Sequence, residues 1–184
     1  MRHPNLASPD GATLLIIDIQ EKLFRLVAEQ DRLVDRVTKL IAFSRILGIP
    51  LVVTEQYSRG LGPTIEPLRA VLAEVPILEK LSFSCFGADG FEQRLRELAT
   101  KQLIVCGIEA HICVQQTTLD ALQHGYKVHV VSDAVSSRDP ENCRLGVEKM
   151  RQAGAIITSW EMVAYELMGR AGTPQFREAL PLFK

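Results

Sequence analysis

The sequence predicts an α/β fold: a three-layer α/β/α arrangement around a doubly wound, mostly parallel, Rossmann-like sheet of about six strands. Two observations lead to this prediction. Short apolar runs alternate with longer segments of helical periodicity along all 184 residues, and no linker, repeat or low-complexity stretch interrupts them. Such alternation is typical of parallel sheets covered on both faces, with right-handed crossovers. We expect one domain over residues 1–184, with residues 1–11 as an N-terminal extension.

The strands are predicted from six apolar runs that are too short for buried helices. Each run is followed by turn or helix signals, and the first reads as a strand covered on both faces. In chain order, the predicted strands span residues 14–17, 50–54, 75–78, 103–106, 128–131 and 155–157.

The helices are predicted from apolar residues spaced three and four apart between those runs. Glycines after the periodic segments supply stop signals, as Gly48 does for the first long helix, and Ser159 is placed to cap the last one. The predicted helices cover residues 33–47, 91–98, 114–122 and 145–153, with a final helix after residue 159.

The composition excludes several classes of function. The hydrophobic fraction is 47%, the charged fraction is 23% and the formal charge is −1, so no excess of basic side chains is available to neutralise nucleic-acid phosphates. No apolar run approaches the roughly 20 residues that span a bilayer, and the first residues do not resemble a signal peptide. The four cysteines form no C-x-x-C pair. We therefore expect a cytoplasmic protein with reduced thiols and neither nucleic-acid nor membrane partners.

Three polar or reactive side chains follow predicted strands. Ligands of doubly wound sheets collect beyond the carboxyl ends of the strands, so residues with a chemical role should lie there. Asp18 directly follows the first strand, Lys80 follows the third, and Cys113 stands where the helix after the fourth strand begins. Taken singly, each has an ordinary structural explanation: a loop-capping Asp, a solvated Lys and a small buried Cys.

Together, the three residues favour nucleophilic catalysis by a thiol. A cysteine at a helix start is expected to gain thiolate character from the helix dipole, and nearby amides could stabilise an oxyanion. Asp18 would take the thiol proton, Cys113 would attack a carbonyl, and Lys80 would balance the charge. The proton would return to the leaving nitrogen before water releases the acyl-enzyme.

Four segments that contain these residues resemble the isochorismatase-like cysteine hydrolases, which include nicotinamidases and several amide and imide hydrolases. They are residues 14–20 (LLIIDIQ), 80–86 (KLSFSCF), 107–114 (GIEAHICV) and 130–138 (VVSDAVSSR), in the order of that family. The resemblance covers nearly the whole chain and implies a catalytic triad of Asp18, Lys80 and Cys113. It also implies a cis peptide between Ile108 and Glu109, oxyanion donors at the backbone amides of Glu109 and Cys113, and a homo-oligomer (a dimer or larger).

Departures from the family pattern narrow the expected chemistry. Metal-binding nicotinamidases carry Asp-x-His after the second strand, where this chain has Glu55, Gln56 and Tyr57. Isochorismatases of siderophore pathways typically lack the cysteine at the position of Cys113. We therefore expect a hydrolase without metal or cofactor that acts on a small amide, imide or related C–N substrate. Isochorismate-type hydrolysis and a catalytically silent binding or scaffold protein of the same fold remain the alternatives.

Further residues are candidates for the pocket or for contacts between subunits. Four are predicted to touch substrate because they follow strand ends or triad residues, although aromatic residues are also ordinary packing material: Gln20, Phe24, Tyr57 and Phe86. His111, two residues before Cys113, is interpreted as a loop or pocket-wall histidine that touches substrate rather than as the partner in a Cys–His dyad. Cys85 could approach the pocket as a second thiol, although a loop residue without a chemical role is the better interpretation. In the C-terminal segment, the candidate contact residues are Tyr165, Leu167 and Phe176.

Overall fold

All six apolar runs lie in strands of one parallel sheet in this computed structural model, which describes residues 2–184. The strands are β1 (Ala12–Ile17), β2 (Leu51–Gln56), β3 (Ile77–Lys80), β4 (Gln102–Ile108), β5 (Lys127–Ser136) and β6 (Ile156–Thr158). Their order in the sheet is β3-β2-β1-β4-β5-β6, and every neighbouring pair is parallel. The predicted α/β fold class is confirmed.

Helices cover both faces of the sheet. They are α1 (Glu21–Phe24), α2 (Gln30–Leu47), α3 (Ser58–Leu61), α4 (Glu66–Val71), α5 (Phe91–Glu97), α6 (Gln115–Gln123), α7 (Pro140–Gln152), α8 (Trp160–Met168) and α9 (Pro174–Ala179). Short 3₁₀ turns span Cys85–Gly87 and Leu180–Phe183, and a π-helical turn spans Ala110–Val114. Within residues 2–184, no helix is both long and apolar enough to cross a membrane.

Two apolar layers hold the sheet between its helices. In β1, Leu14 and Ile16 face the layer formed by α2 and α8, whereas Leu15 and Ile17 face the layer formed by α5, α6 and α7. Because every residue of β1 is buried, the strand reads as one continuous apolar run rather than an alternating one. Burial on both faces therefore places the carboxyl end of β1 in the interior, at the centre of the sheet.

The strand order reverses between β1 and β4, which are neighbours in the sheet although 84 residues separate their ends in the chain, from Ile17 to Gln102. At the carboxyl edge of this pair, Ile17 lies opposite Gly107. A Cβ on Gly107 would lie 2.1 Å from the carbonyl oxygen of Ile17, and its φ of 122° also favours glycine. The close approach of the two strands therefore requires a glycine at the switch point, where ligands bind in such sheets.

Some elements extend beyond their predicted bounds or were not predicted. β5 continues to Ser136, past the polar residues Ser132 and Asp133 that interrupt its apolar run. The predicted third strand begins two residues too early, and Lys80 is its last residue rather than a residue after it. The short helices α1, α3, α4 and α9 were not predicted, because four to six residues are too few to show helical periodicity.

Candidate active site

Asp18 lies at the floor of the site, directly after β1. Its φ of 52° turns the chain out of the strand, and its side chain is completely buried. One carboxylate oxygen, Oδ1, accepts a hydrogen bond from the hydroxyl of Thr54 at 2.7 Å. The other, Oδ2, accepts one from the Lys80 ammonium at 2.5 Å. Both oxygens of this buried charge are thus compensated, as burial of an ion requires.

Lys80, the last residue of β3, brings the opposite charge to the same point. Its ammonium is unexposed and lies within hydrogen-bond distance of four oxygens. Besides Asp18 these are Gln56 Oε1 at 2.8 Å, the Phe83 carbonyl at 3.1 Å and the Ser82 carbonyl at 3.2 Å. Burial, the largest single influence, lowers the pKa of Lys80, but the charge and hydrogen bond of Asp18 together with the charges of Cys113 and Cys85 raise that pKa above its usual value. Lys80 is therefore a fixed cation whose donors are fully used.

Cys113 lies in the π-helical turn just before α6, with 5% of its surface exposed. Burial, and next the charge of the adjacent Asp18, raise the pKa of the thiol to about 12, although Lys80 opposes the shift. The prediction that the helix start would favour thiolate is therefore wrong for the resting site, because desolvation and a neighbouring carboxylate outweigh the dipole. Cys113 is therefore a protonated thiol in the resting site.

The segment from the end of β4 to Cys113 contains the residues that the family resemblance implies as oxyanion donors. The peptide bond between Ile108 and Glu109 is cis, and Glu109 immediately precedes the π-helical turn. The Glu109 side chain is buried and pairs with Arg138, whose Nη2 donates to Oε1 at 2.5 Å. Burial opposes ionisation of Glu109, but the hydrogen bonds and charge of Arg138 lower the pKa of this carboxyl below its usual value.

A cleft of about 100 Å³ opens over the Cys113 sulfur. Most of its walls are apolar, and two charged residues and one amide complete the lining. The lining residues are Leu23, Gln56, Leu61, Phe83, Glu109, Ile112, Cys113 and Arg138. Asp18 and Lys80 are unexposed, and both interact with Cys113 at the floor of this cleft. The structure thus brings the three strand-end residues together beneath one small opening.

Several residues of this site were missed by sequence reasoning. Thr54 and Gln56 are two residues apart in β2, so their side chains project from the same face of the sheet. Thr54 donates a hydrogen bond to Asp18, and Gln56 accepts one from Lys80. The sequence signal that could have identified them is a pair of polar residues at the end of an apolar strand, β2, which lies between the strands that lead to Asp18 and Lys80. Arg138 ends the fourth segment that resembles the family, but its position alone does not predict a pairing with Glu109. The apolar residues that line the cleft follow no periodic pattern in the sequence, so the sequence does not predict them as a group.

α7 packs unusually close to the π-helical turn that carries Cys113. A Cβ on Gly146 would lie 2.8 Å from the Cα of His111 and 2.9 Å from the Ala110 carbonyl oxygen. Real Cβ atoms essentially never approach this closely, so any larger residue would displace the turn. The absence of a side chain at Gly146 therefore lets the turn that carries Cys113 pack directly against α7.

Gln20 does not offer its amide to a ligand. Its Nε2 donates to the carbonyls of Gln56 at 3.0 Å and Gly62 at 2.7 Å, and its Oε1 accepts from the Gln56 amide at 2.7 Å. The side chain is completely buried. The prediction of substrate contact is corrected here: Gln20 continues the hydrogen bonding of β2 past its end and ties that strand to the loop at residue 62.

Four other predicted substrate residues lie outside the lining of the Cys113 cleft. Phe24 packs against the apolar layer of α2 and α8. Phe86 stacks on His124 at 4.6 Å and meets Phe91 edge-on at 5.1 Å. His111 shares a hydrogen bond of 2.9 Å between its Nδ1 and the Ser137 hydroxyl. These three side chains are occupied by packing or by the protein's own polar groups.

Tyr57 is half exposed and lines a separate, larger hollow of about 480 Å³ beside β3. Cys85 approaches the site from the other side: it is unexposed, and its sulfur lies 3.8 Å from the Thr54 hydroxyl. Burial raises the pKa of Cys85 to about 12. Between residues 2 and 184, no three His, Cys, Asp or Glu side chains gather in a way that could hold a metal ion.

Among the predicted contact residues, Tyr165 is 46% exposed on the outer face of α8. Leu167 instead faces inward and is buried in the apolar layer of α2 and α8, so its prediction as a contact residue is wrong. Residues Tyr165 and Leu167 point to opposite sides because two residues along a helix turn the side chain by about 200°.

Comparison with known proteins identifies the family to which the chain belongs and several of its relatives. The family described as isochorismatase domain matches residues 12–162. The secreted isochorismatase effector Isc1 of Phytophthora sojae is 36% identical, over 96% of this chain and 86% of its own. Human isochorismatase domain-containing protein 2 is 35% identical, over 96% of this chain and 84% of its own.

Solved structures of similar proteins superpose closely on this chain. The MAR1 ribonuclease of Caenorhabditis elegans superposes with a TM-score of 0.90 and 39% identity, covering 96% of this chain and 91% of that one. YcaC from Pseudomonas aeruginosa, whose structure holds hexane-2,5-diol and covalent acrylamide, superposes with a TM-score of 0.90 and 25% identity. The match covers 99% of this chain and 93% of that one.

Proposed function

Since the chain belongs to the isochorismatase family and is a hydrolase of that family, we propose that Cys113 is the nucleophile of a metal-free hydrolase acting on a small amide, imide or related C–N substrate. One observation carries the proposal: a buried thiol with a pKa of about 12 lies beside Asp18, which is itself paired with Lys80. A thiol of that pKa is inert near neutral pH unless a base takes its proton as the sulfur attacks. Asp18 is positioned as that base.

The reaction then proceeds in two halves. As the proton moves from sulfur to Asp18, Cys113 bonds to the carbonyl carbon, and the negative charge on oxygen is met by the backbone amides of Glu109 and Cys113. Asp18 returns the proton to the nitrogen, the C–N bond breaks and a thioester remains on Cys113. Water, deprotonated by Asp18, hydrolyses the thioester and restores the thiol. Lys80 keeps the carboxylate oriented and holds the site electrically neutral while the proton is on sulfur.

Small C–N substrates are supported by the size of the cleft and by one relative. A cleft of about 100 Å³ is well below the roughly 300–1,000 Å³ of pockets for drug-sized ligands. The Pseudomonas relative carries covalent acrylamide, itself a small amide. Neither the cleft nor the formal charge of −1 favours RNA as a substrate here, although one relative is named a ribonuclease. We propose a cytoplasmic homo-oligomer with no nucleic-acid or membrane partner.

The proposal is tested by ammonia release from a panel of small carboxamides and imides, with the Cys113→Ala variant beside the unchanged protein. Loss of the nucleophile should lower kcat/KM by about 10³-fold or more while the circular dichroism spectrum is retained. Cys143→Ala is the matched control, because this half-buried thiol is absent from the cleft lining and its removal should leave turnover unchanged. Activity that survives Cys113→Ala would refute the proposed nucleophile.

The same variants separate the alternatives. An acyl adduct on Cys113, detected by intact-protein mass spectrometry after rapid acid quenching, is expected only for the thioester mechanism. Isochorismate hydrolysis that persists in Cys113→Ala would instead favour isochorismate-type chemistry with an incidental cysteine. A panel of amides, imides and esters without turnover, together with tight binding of a partner, would favour the silent binding protein.

A further inference from the structure

The charged groups around the Cys113 cleft are neutralised within the chain. Asp18 pairs with Lys80, and Glu109 pairs with Arg138, with closest N–O distances of 2.5 Å in both pairs. Each pair sums to zero charge. Lys80 cannot bind a ligand anion, because its ammonium is unexposed and already faces four oxygen acceptors.

Arg138 is the cation that lines the cleft, and two of its three guanidinium nitrogens already donate to Glu109. Its Nε and Nη2 both donate to the Glu109 carboxylate, which also accepts from the Arg138 backbone amide at 2.9 Å. A substrate carboxylate at this point would have to share the guanidinium with Glu109. Like charges at such short range repel strongly in a partly desolvated cleft.

The remaining walls supply apolar contact and no further ionic group. Leu23, Leu61, Phe83 and Ile112 surround the opening, and Gln56 adds a neutral amide whose oxygen faces Lys80. In a cleft of about 100 Å³, a ligand of only a few non-hydrogen atoms would contact these walls on several sides at once.

We infer that the site accepts small uncharged carboxamides and discriminates against analogues that carry a carboxylate. This inference rests on the proposed function, because it assumes that Cys113 reacts with the bound ligand. The neutral pairing of Glu109 with Arg138 sets the preference: Glu109 cancels the one cation that a carboxylate could use. Glu109 is thus a specificity-determining side chain as well as the residue whose backbone amide faces the oxyanion.

Iodoacetamide and iodoacetate form a matched pair of probes, with five non-hydrogen atoms each and a difference of one charge. Each forms an S–C bond to Cys113 as the C–I bond breaks, iodide departs and the thiol proton passes through Asp18 to solvent. Rates at Cys113 are followed by peptide mass spectrometry, and the ratio of the two rates is divided by the same ratio for 2-mercaptoethanol. We expect this normalised ratio to favour iodoacetamide by about tenfold or more.

The Glu109→Gln variant tests the cause of the preference. Glutamine keeps an oxygen for Arg138 but removes the negative charge, so iodoacetate should gain and the ratio should fall by about tenfold. Glu141→Gln is the control: it removes one charge from an exposed pair with Arg144 on α7 and should leave the ratio unchanged. A normalised ratio of one or below in the unchanged protein overturns the inference, whatever the variants do.

The outcomes also separate this inference from the proposed function. If Cys113 reacts readily but without preference, or prefers iodoacetate, only the neutral-substrate inference fails. If neither probe modifies Cys113 while Cys143 is alkylated, the reactive thiol and everything built on it fail. A ratio that favours iodoacetamide and falls in Glu109→Gln, but not in Glu141→Gln, supports the inference.

Discussion

The Lys80–Asp18 pair offers the sharpest test of the site's architecture. Replacing Lys80 with Met keeps most of the side chain's bulk and removes its charge, which leaves Asp18 buried without its cation. Breaking a buried ion pair from one side costs about 3–5 kcal/mol, because the remaining charge is uncompensated. Lys80 also donates to the Ser82 and Phe83 carbonyls, which lose that donor in the variant. We therefore expect the free energy of unfolding to fall by about 3–5 kcal/mol.

The assay is equilibrium urea unfolding at pH 7, with Lys101→Met as the matched control. Lys101 pairs with Asp10 at 2.8 Å, but both side chains are largely exposed, so its loss should cost less than about 1 kcal/mol. The double variant Asp18→Asn/Lys80→Met should recover at least about 2 kcal/mol relative to the sum of the single variants, because both charges leave together. Additive effects, or a Lys80→Met cost no larger than that of Lys101→Met, would refute the buried pairing.

Three further predictions concern residues around this frame. His129 is buried with no hydrogen-bond partner at either ring nitrogen within residues 2–184, and burial, aided by Lys127, lowers its pKa to about 4. The unfolded chain, with a pKa of about 6.5, binds the proton first, so stability present above pH 6.5 is lost as the pH falls toward 4; this amounts to about 2 kcal/mol by pH 5. Unfolding curves of His129→Leu should lack that loss, and parallel pH profiles for the two proteins would contradict the assignment. Gly107→Ala should lower the free energy of unfolding by at least about 2 kcal/mol, because its Cβ meets the Ile17 backbone. Gly48→Ala, with nothing within 4 Å, should cost only the roughly 1–2 kcal/mol of a left-handed φ, and equal losses in urea unfolding would argue against the close approach. Gly146→Ala should reduce amide turnover about tenfold or more by displacing the Cys113 turn while the circular dichroism spectrum stays native, and unchanged kcat/KM would show that the turn tolerates the methyl group.

The backbone frame was predictable because it depends on local patterns. Composition and length alone predict strands at residues 14–17 and at the other apolar runs. The rule that ligands bind at strand ends then identified Asp18 and Lys80 as candidates. The same patterns overlooked α4 and α9, whose few apolar residues define no face. Polar residues within β5 likewise concealed its second half, because it is hydrogen-bonded backbone rather than hydrophobicity that continues that strand.

The environment of each site residue was beyond the reach of local patterns, because it depends on contacts between distant segments. The helix start at Cys113 was visible in the chain, but the burial and the Asp18 carboxylate that reverse the direction of its pKa shift come from elsewhere in the fold. Gln20 was predicted to contact substrate because no local pattern indicates that its side-chain amide donates hydrogen bonds to carbonyls 36 and 42 positions away. The pairing of Glu109 with Arg138 spans 29 positions in the same way.

Lys80 lies on an edge strand of the sheet, and this position affects how the site responds to denaturant. β3 is four residues long, pairs with β2 alone and has an exposed residue at its start, Ile77, so little apolar packing holds it and its anchor is the ion pair of Lys80. Short edge segments open locally at a lower free-energy cost than the whole domain does. Fraying of β3 would withdraw the ammonium from Asp18 while the other five strands stay paired. Catalytic competence would then vanish in mild denaturant before the bulk of the secondary structure melts.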